Sequence, residues 1–165
     1  MKRFLLLAAT LLISACTGPQ TASEFANFPT VSAETIQINR SFSAVSASLR
    51  AGANKCLNKT EQGWETQRIM NGFGTMQTVR RNLTTTFSTE VTTGSGEIQI
   101  TMRKNISADR MHEDGYIWLL IEARSAAGGT SLSIHEANWG GDDISAAIQS
   151  WAKGGALICP TLSLS

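Results

Sequence analysis

Residues 79–103 read VRRNLTTTFSTEVTTGSGEIQITMR. In the first half, Val79, Leu83, Thr85, Phe87 and Val91 alternate with Asn82, Thr84, Thr86, Ser88 and Glu90. A half-buried strand has this period of two. Thr93-Gly94-Ser95-Gly96 supplies turn residues, and Ile98, Ile100 and Met102 then alternate with Glu97, Gln99, Thr101 and Arg103, as the return arm of a hairpin does. The stretch therefore predicts two antiparallel neighbours with one polar face and one face that something else must cover. Strict alternation also turns Arg81 toward the covered side, which calls for a bulge or a later strand start.

Downstream, a polar loop from Ser107 to Gly115 leads into Tyr116-Ile117-Trp118-Leu119-Leu120-Ile121, and after Gly128-Gly129 the residues Leu132 and Ile134 alternate again. Upstream, a weaker period of two runs from Trp64 to Ile69. Together these segments make a meander of four or five strands. Thr35-Ile36-Gln37-Ile38-Asn39 reads as a short strand ahead of it, followed by Ser41 as a helix cap.

Two helices flank the meander. Phe42, Val45, Leu49, Ala53 and Cys56 recur at spacings of three and four, one face of an amphipathic helix that turns Cys56 inward. Gly52 interrupts this helix at a propensity cost of about 0.8–1.0 kcal/mol relative to alanine, so its last turn is either loose or closely packed. Near the other end, Asp142-Asp143 can satisfy backbone donors at a helix start. Ile144, Ala147, Ile148 and Trp151 then share one face, and Gly154-Gly155 is a stop. The expected fold class is α+β: a two-layer domain with an antiparallel sheet of about five strands and an N-terminal and a C-terminal helix on one face. This order of elements resembles the helix-grip folds, some of which occur in lipoproteins of outer-membrane assembly machinery. The resemblance implies architecture rather than activity.

The chain opens on Met1, Lys2 and Arg3, continues through an apolar run from Phe4 to Ile13, and reaches Ser14 and Ala15 before Cys16. That is the layout of a secretory signal, and the run is shorter than the roughly 20 residues of a spanning helix. Ile13-Ser14-Ala15-Cys16 resembles the lipobox of bacterial lipoproteins. The resemblance implies removal of residues 1–15, a diacylglyceryl group on the Cys16 thiol and membrane anchoring, with each buried CH₂ contributing about 0.8 kcal/mol. Thr17, rather than Asp, after the cysteine resembles the outer-membrane pattern, so the expected location is the outer membrane, facing the periplasm. Residues 16–30, with Gly18, Pro19, Gln20, Ser23, Asn27 and Pro29, read as a lipidated flexible tether, and residues 31–165 as a single domain.

With Cys16 lipidated, Cys56 and Cys159 remain as an even pair in an exported chain and are expected to form a disulfide. They lack the CxxC spacing of a redox pair and the neighbouring histidines of a metal site. Without Lys2 and Arg3 the chain carries twelve basic and thirteen acidic side chains, which gives no electrostatic case for nucleic acid.

Little in the sequence points to catalysis. His112 sits in the polar loop with Glu113 and Asp114, and His135 takes the solvent parity of its strand, so no metal is expected. GxSxG is missing, and Gly72-Phe73-Gly74 and Gly94-Ser95-Gly96 do not extend into a phosphate or dinucleotide loop, so no catalytic residue or cofactor is assigned. Arg80-Arg81 and Arg103-Lys104 make at most half a basic stripe, because adjacent strand residues face opposite ways. In the run from Tyr116 to Ile121, Ile117, Leu119 and Ile121 are expected inward. Tyr116, Trp118 and Leu120 then either form an exposed patch for a partner, a lipid or a peptide, or lie under loops or the N-terminal segment. The expected partners are the membrane, through the N-terminal lipid, and an envelope protein. A noncatalytic binding module fits best, with a small-ligand carrier or enzyme using a helix–sheet groove as the alternative.

Overall fold

The computed structural model describes residues 19–70, 72, 74–107, 115–137 and 142–162. The leader, the lipobox with Cys16, the loop residues His112, Glu113 and Asp114, and Gly140-Gly141 lie outside the described residues. The strands are β1 (Val31–Ile38), β2 (Lys59–Met70), β3 (Met76–Gly94), β4 (Glu97–Ile106), β5 (Tyr116–Ala126) and β6 (Gly129–Ala137). The helices are α1 (Ala22–Ala26), α2 (Phe42–Gly52) and α3 (Asp142–Ala152). All neighbouring strands are antiparallel, and among the described residues they form one six-stranded sheet in the order β1-β6-β5-β4-β3-β2.

The α+β expectation holds, with more strands than the five foreseen. β1 pairs along its whole length with β6, from Val31↔Ala137 to Ile38↔Thr130, and so joins the two ends of the chain in one sheet. β2 continues to Met70 with only weak alternation, because its outer half has no core to face.

α2 starts at Ser41, whose hydroxyl accepts from the Ala44 amide at 3.4 Å. It ends in a single π turn, Ala53–Leu57, which buries Ala53, Cys56 and Leu57 together. Asn58 closes the turn by accepting from the Thr89 amide (2.8 Å) and hydroxyl (3.1 Å), fastening the helix end to β3. α3 stops as its glycines foretell. Gly154, at φ 86°, donates to Trp151 O and Gly155 donates to Ser150 O, the paired bonds of a Schellman end. Arg40 Nη1 also donates to Ala152 O at 2.7 Å, placing a cation at the negative end of the helix.

α2 and α3 pack together on one sheet face, where Val45, Leu49, Ile148 and Trp151 meet Ile98, Ile100, Met102, Leu119, Ile121, Leu132 and Ile134, all fully or nearly fully buried. Gly52 belongs to the closely packed alternative, because a β-carbon there would run into the Trp151 ring. Cys56 and Cys159 form the expected disulfide, with Cα atoms 5.0 Å apart, joining the end of α2 to the segment after α3.

The tether boundary at residue 30 is too late for the fold. Thr21 and Glu24 build a reciprocal capping box at the start of α1, and Phe25 is buried. α1 packs on β5 and β1. Its side of the sheet follows from Arg103, which neighbours the inward Met102 and so points away from α2 and α3. The Arg103 guanidinium donates to Gln20 O at 2.8 Å, which sets the N-terminal segment on the outer face.

Candidate functional site

The aromatic run on β5 is the first candidate, and of its two alternatives the structure takes the buried one. Between Met102↔Leu119 and Arg103↔Ile117 the register advances one residue on β4 and two on β5, so Trp118 is the extra residue of a bulge. The bulge resets the alternation. Leu119 and Ile121 still face the helices, whereas Trp118 is drawn beside Phe87, ring centroids 5.6 Å apart, and is buried. Leu120 keeps the outer parity but is also buried, and Tyr116 is half-buried against the core. Tyr116, Trp118 and Leu120 therefore do not make an exposed patch. The bulge redirects Trp118, and the N-terminal segment covers the outer face.

The bulge leaves Lys104 in an unusual setting. Register parity turns it toward the helix face opposite Phe87, where it is buried with its Nζ 5.9 Å from the Phe87 ring centroid and 5.2 Å from that of Trp118. Burial pushes the ammonium pKa below its ordinary value of 10.5, because the charged form loses hydration that the ring faces only partly replace. Among the described residues no carboxylate is in ion-pair contact with it. A lysine held this way is a desolvated cation.

His135 lies on the outer face as expected and is half-buried. Its Nε2 is 3.4 Å from Glu122 Oε2, and Glu122 also accepts from Gln99 and meets Arg124, which pairs with Glu97 at 2.9 Å. These groups form a ladder of polar pairs across β4, β5 and β6. No group of histidines, cysteines and carboxylates suited to a metal occurs among the described residues.

Four of the six large apolar side chains exposed among the described residues stand in one place that the sequence reading missed, with Phe28 and Ile158 elsewhere. Among the described residues β3 pairs with β4 from Thr85 onward, with Thr84 still bonded to Ser107, whereas it pairs with β2 out to Met70↔Met76. Among the described residues, 62–70 and 76–84 thus extend past β4 as a two-stranded arm about 30 Å long, at roughly 3.3 Å per residue. The arm explains Arg81: it has the parity of Leu83 and Thr85 but lies beyond the helices, exposed, with no bulge in either ladder of β3. Trp64 (64% exposed), Ile69 (43%), Met70 (69%) and Met76 (56%) all stand on the arm.

One face of the arm concentrates the binding chemistry. Trp64, Arg68, Met70, Met76 and Arg80 share a parity, and the Arg80 guanidinium stacks over the Trp64 ring. At the root of the arm an open concavity of about 540 Å³ is lined by Gln62, Gly63, Trp64, Asn82, Leu83 and Thr84. A lone hairpin is marginal in water, so the arm depends on the sheet at its root and on cross-strand pairs such as Met70 with Met76. Isolated exposed apolar residues are ordinary, whereas a cluster on a projecting element is the mark of a contact surface. The available signal in the sequence was the pair of alternating segments of unequal length on either side of Gly72-Phe73-Gly74. In comparison with known proteins, no family model and no curated protein matches the chain.

Proposed function

We propose that the chain is a bacterial envelope lipoprotein, anchored through Cys16 in the outer membrane and facing the periplasm, whose domain is a noncatalytic binding module that makes its contacts through the β2–β3 arm. The observation that carries the binding half is the arm itself, with four large apolar residues exposed on it. The anchoring half is supported by the leader and by Ile13-Ser14-Ala15-Cys16. An exported location also accords with the Cys56–Cys159 disulfide. A ligand carrier or an enzyme working between helices and sheet would need space where Val45, Leu49, Ile148 and Trp151 are fully buried.

Photocrosslinking in living cells tests the reading. A photoreactive residue replaces Thr78, exposed on the arm, or Ala146, exposed on α3. Adducts to protein or lipid from position 78, with few from 146, are expected. Equal yields from the two positions, or none from 78, would remove the arm from the account.

A further inference from the structure

We propose that the arm lies along an anionic phospholipid surface on the face that carries Trp64, Arg68, Met70, Met76 and Arg80. The proposal rests on the anchored-module reading and names the surface that the arm meets.

Three observations converge on it. The first is composition by face. The pairs Gln62↔Thr84, Trp64↔Asn82, Thr66↔Arg80, Arg68↔Thr78 and Met70↔Met76 define this face, and these ten residues include two arginines and no acidic residue. Cations attract anionic headgroups, tryptophan favours the headgroup depth, and methionine side chains reach the acyl boundary. The apolar groups of this face lie at the two ends of the arm, Trp64 near the root and the Met70–Met76 pair at the far end, with arginines and threonines between them. That spacing fits a planar interface better than a hydrophobic groove.

The second observation is where the described chain begins. Register carries this face of β3 through Ser88 to Arg103, the residue that donates to Gln20 O, and the Ile117 amide bonds Pro19 O at 3.4 Å. Pro19 and Gln20 are therefore held beside the sheet face whose strand parity continues to Trp64 and Arg68. They lie near the Thr85↔Ile106 end of the sheet, from which the arm projects.

The third is length. Cys16 precedes Pro19 by three residues, which span at most about 11 Å when fully extended. A lipid on Cys16 would hold the bilayer close to this face. An arm about 30 Å long that starts there meets the bilayer lengthwise, on the side that carries the two arginines.

The test uses the full chain purified with its lipid from a bacterial host and reconstituted on vesicles. One set is phosphatidylcholine alone and the other contains an equal part of phosphatidylglycerol, each with and without bromine-labelled acyl chains that quench tryptophan. Trp64→Phe removes the arm's contribution from the four tryptophans. The expected result is a quenched component on anionic vesicles that is absent in Trp64→Phe. The ratio of docked to undocked arm should fall about fivefold for each of Arg68→Gln and Arg80→Gln, and should fall with added salt. Circular dichroism checks that each variant keeps its sheet.

Trp64 left unquenched on both vesicle types, or quenching indifferent to both arginines, would overturn the proposal. So would protein adducts from position 78 with Trp64 unquenched, which would give the arm to a protein. The anchor is scored separately: a chain that fails to float with phosphatidylcholine vesicles loses the anchor reading, while quenching on anionic vesicles still decides the arm.

Discussion

Gly52→Ala sets two ordinary effects of similar size against each other. In an exposed helix the change would add about 1 kcal/mol of stability through helix propensity. Here the new methyl would overlap Cε3, Cδ2 and Cζ3 of Trp151. The ring cannot yield easily, since it is fully buried and its Nε1 donates to Ile158 O at 3.1 Å. Overpacking of this kind costs about 1–3 kcal/mol, and a clash with a pinned aromatic ring belongs at the upper end. The expected net effect is a loss of about 1–2 kcal/mol, a fall in Tm of about 2–8 °C. Urea and thermal unfolding of the oxidised protein read it directly. Pairing Gly52→Ala with Trp151→Phe, whose smaller ring makes room, should cost less than the two single losses added together. A Gly52→Ala protein more stable than wild type would show that α2 and α3 are not in contact at this point.

Replacing Cys56 and Cys159 with alanine should lower stability by up to about 4.7 kcal/mol, the loop-entropy bound for roughly 100 residues; denaturant unfolding with and without reductant measures it, and a negligible loss would contradict a bridge that ties α2 to the C-terminal segment. Phe25→Ala should cost about 3–5 kcal/mol, because α1 is part of the core rather than of a tether; a change within a few tenths of a kcal/mol would return residues 22–26 to the linker. Lys104→Met should raise Tm at pH 7. Because burial lowers the folded-state pKa of Lys104, the unfolded state binds more protons between that value and 10.5. The cost of holding the charge is therefore full below the folded pKa and fades as pH rises through it, so the advantage of the Met variant should shrink toward pH 10.5. A gain that stays constant with pH would assign the effect to packing alone.

Much of the fold is legible because its signals are local. The β3–β4 hairpin follows from period-two alternation around a glycine turn, α2 from apolar spacing and a serine cap, and the end of α3 from Gly154-Gly155. The disulfide is legible because only two cysteines are left once Cys16 is set aside. α1 escapes the reading because five residues carry no helical period, although Thr21 and Glu24 stand at capping-box spacing. The aromatic run leaves two alternatives open for a different reason. Parity along a strand is inherited residue by residue, so a single extra residue at Trp118 redirects everything N-terminal to it, and no local residue type announces the bulge. The arm is hidden by the same dependence on partners. Arg81 breaks the hydrophobic pattern because β3 outruns the helices, a consequence of strand lengths set elsewhere in the sheet.

Anchoring by lipid on Cys16 underlies both the placement of the domain and the orientation of the arm. Its most direct test is the intact mass of the full chain expressed in a bacterial host, beside Cys16→Ser, with fragments that locate any added group. The account predicts a chain that begins at Cys16 with a hydrophobic mass addition on that residue, lost in the serine variant. A chain cleaved after Ala15 that carries no added mass would contradict it.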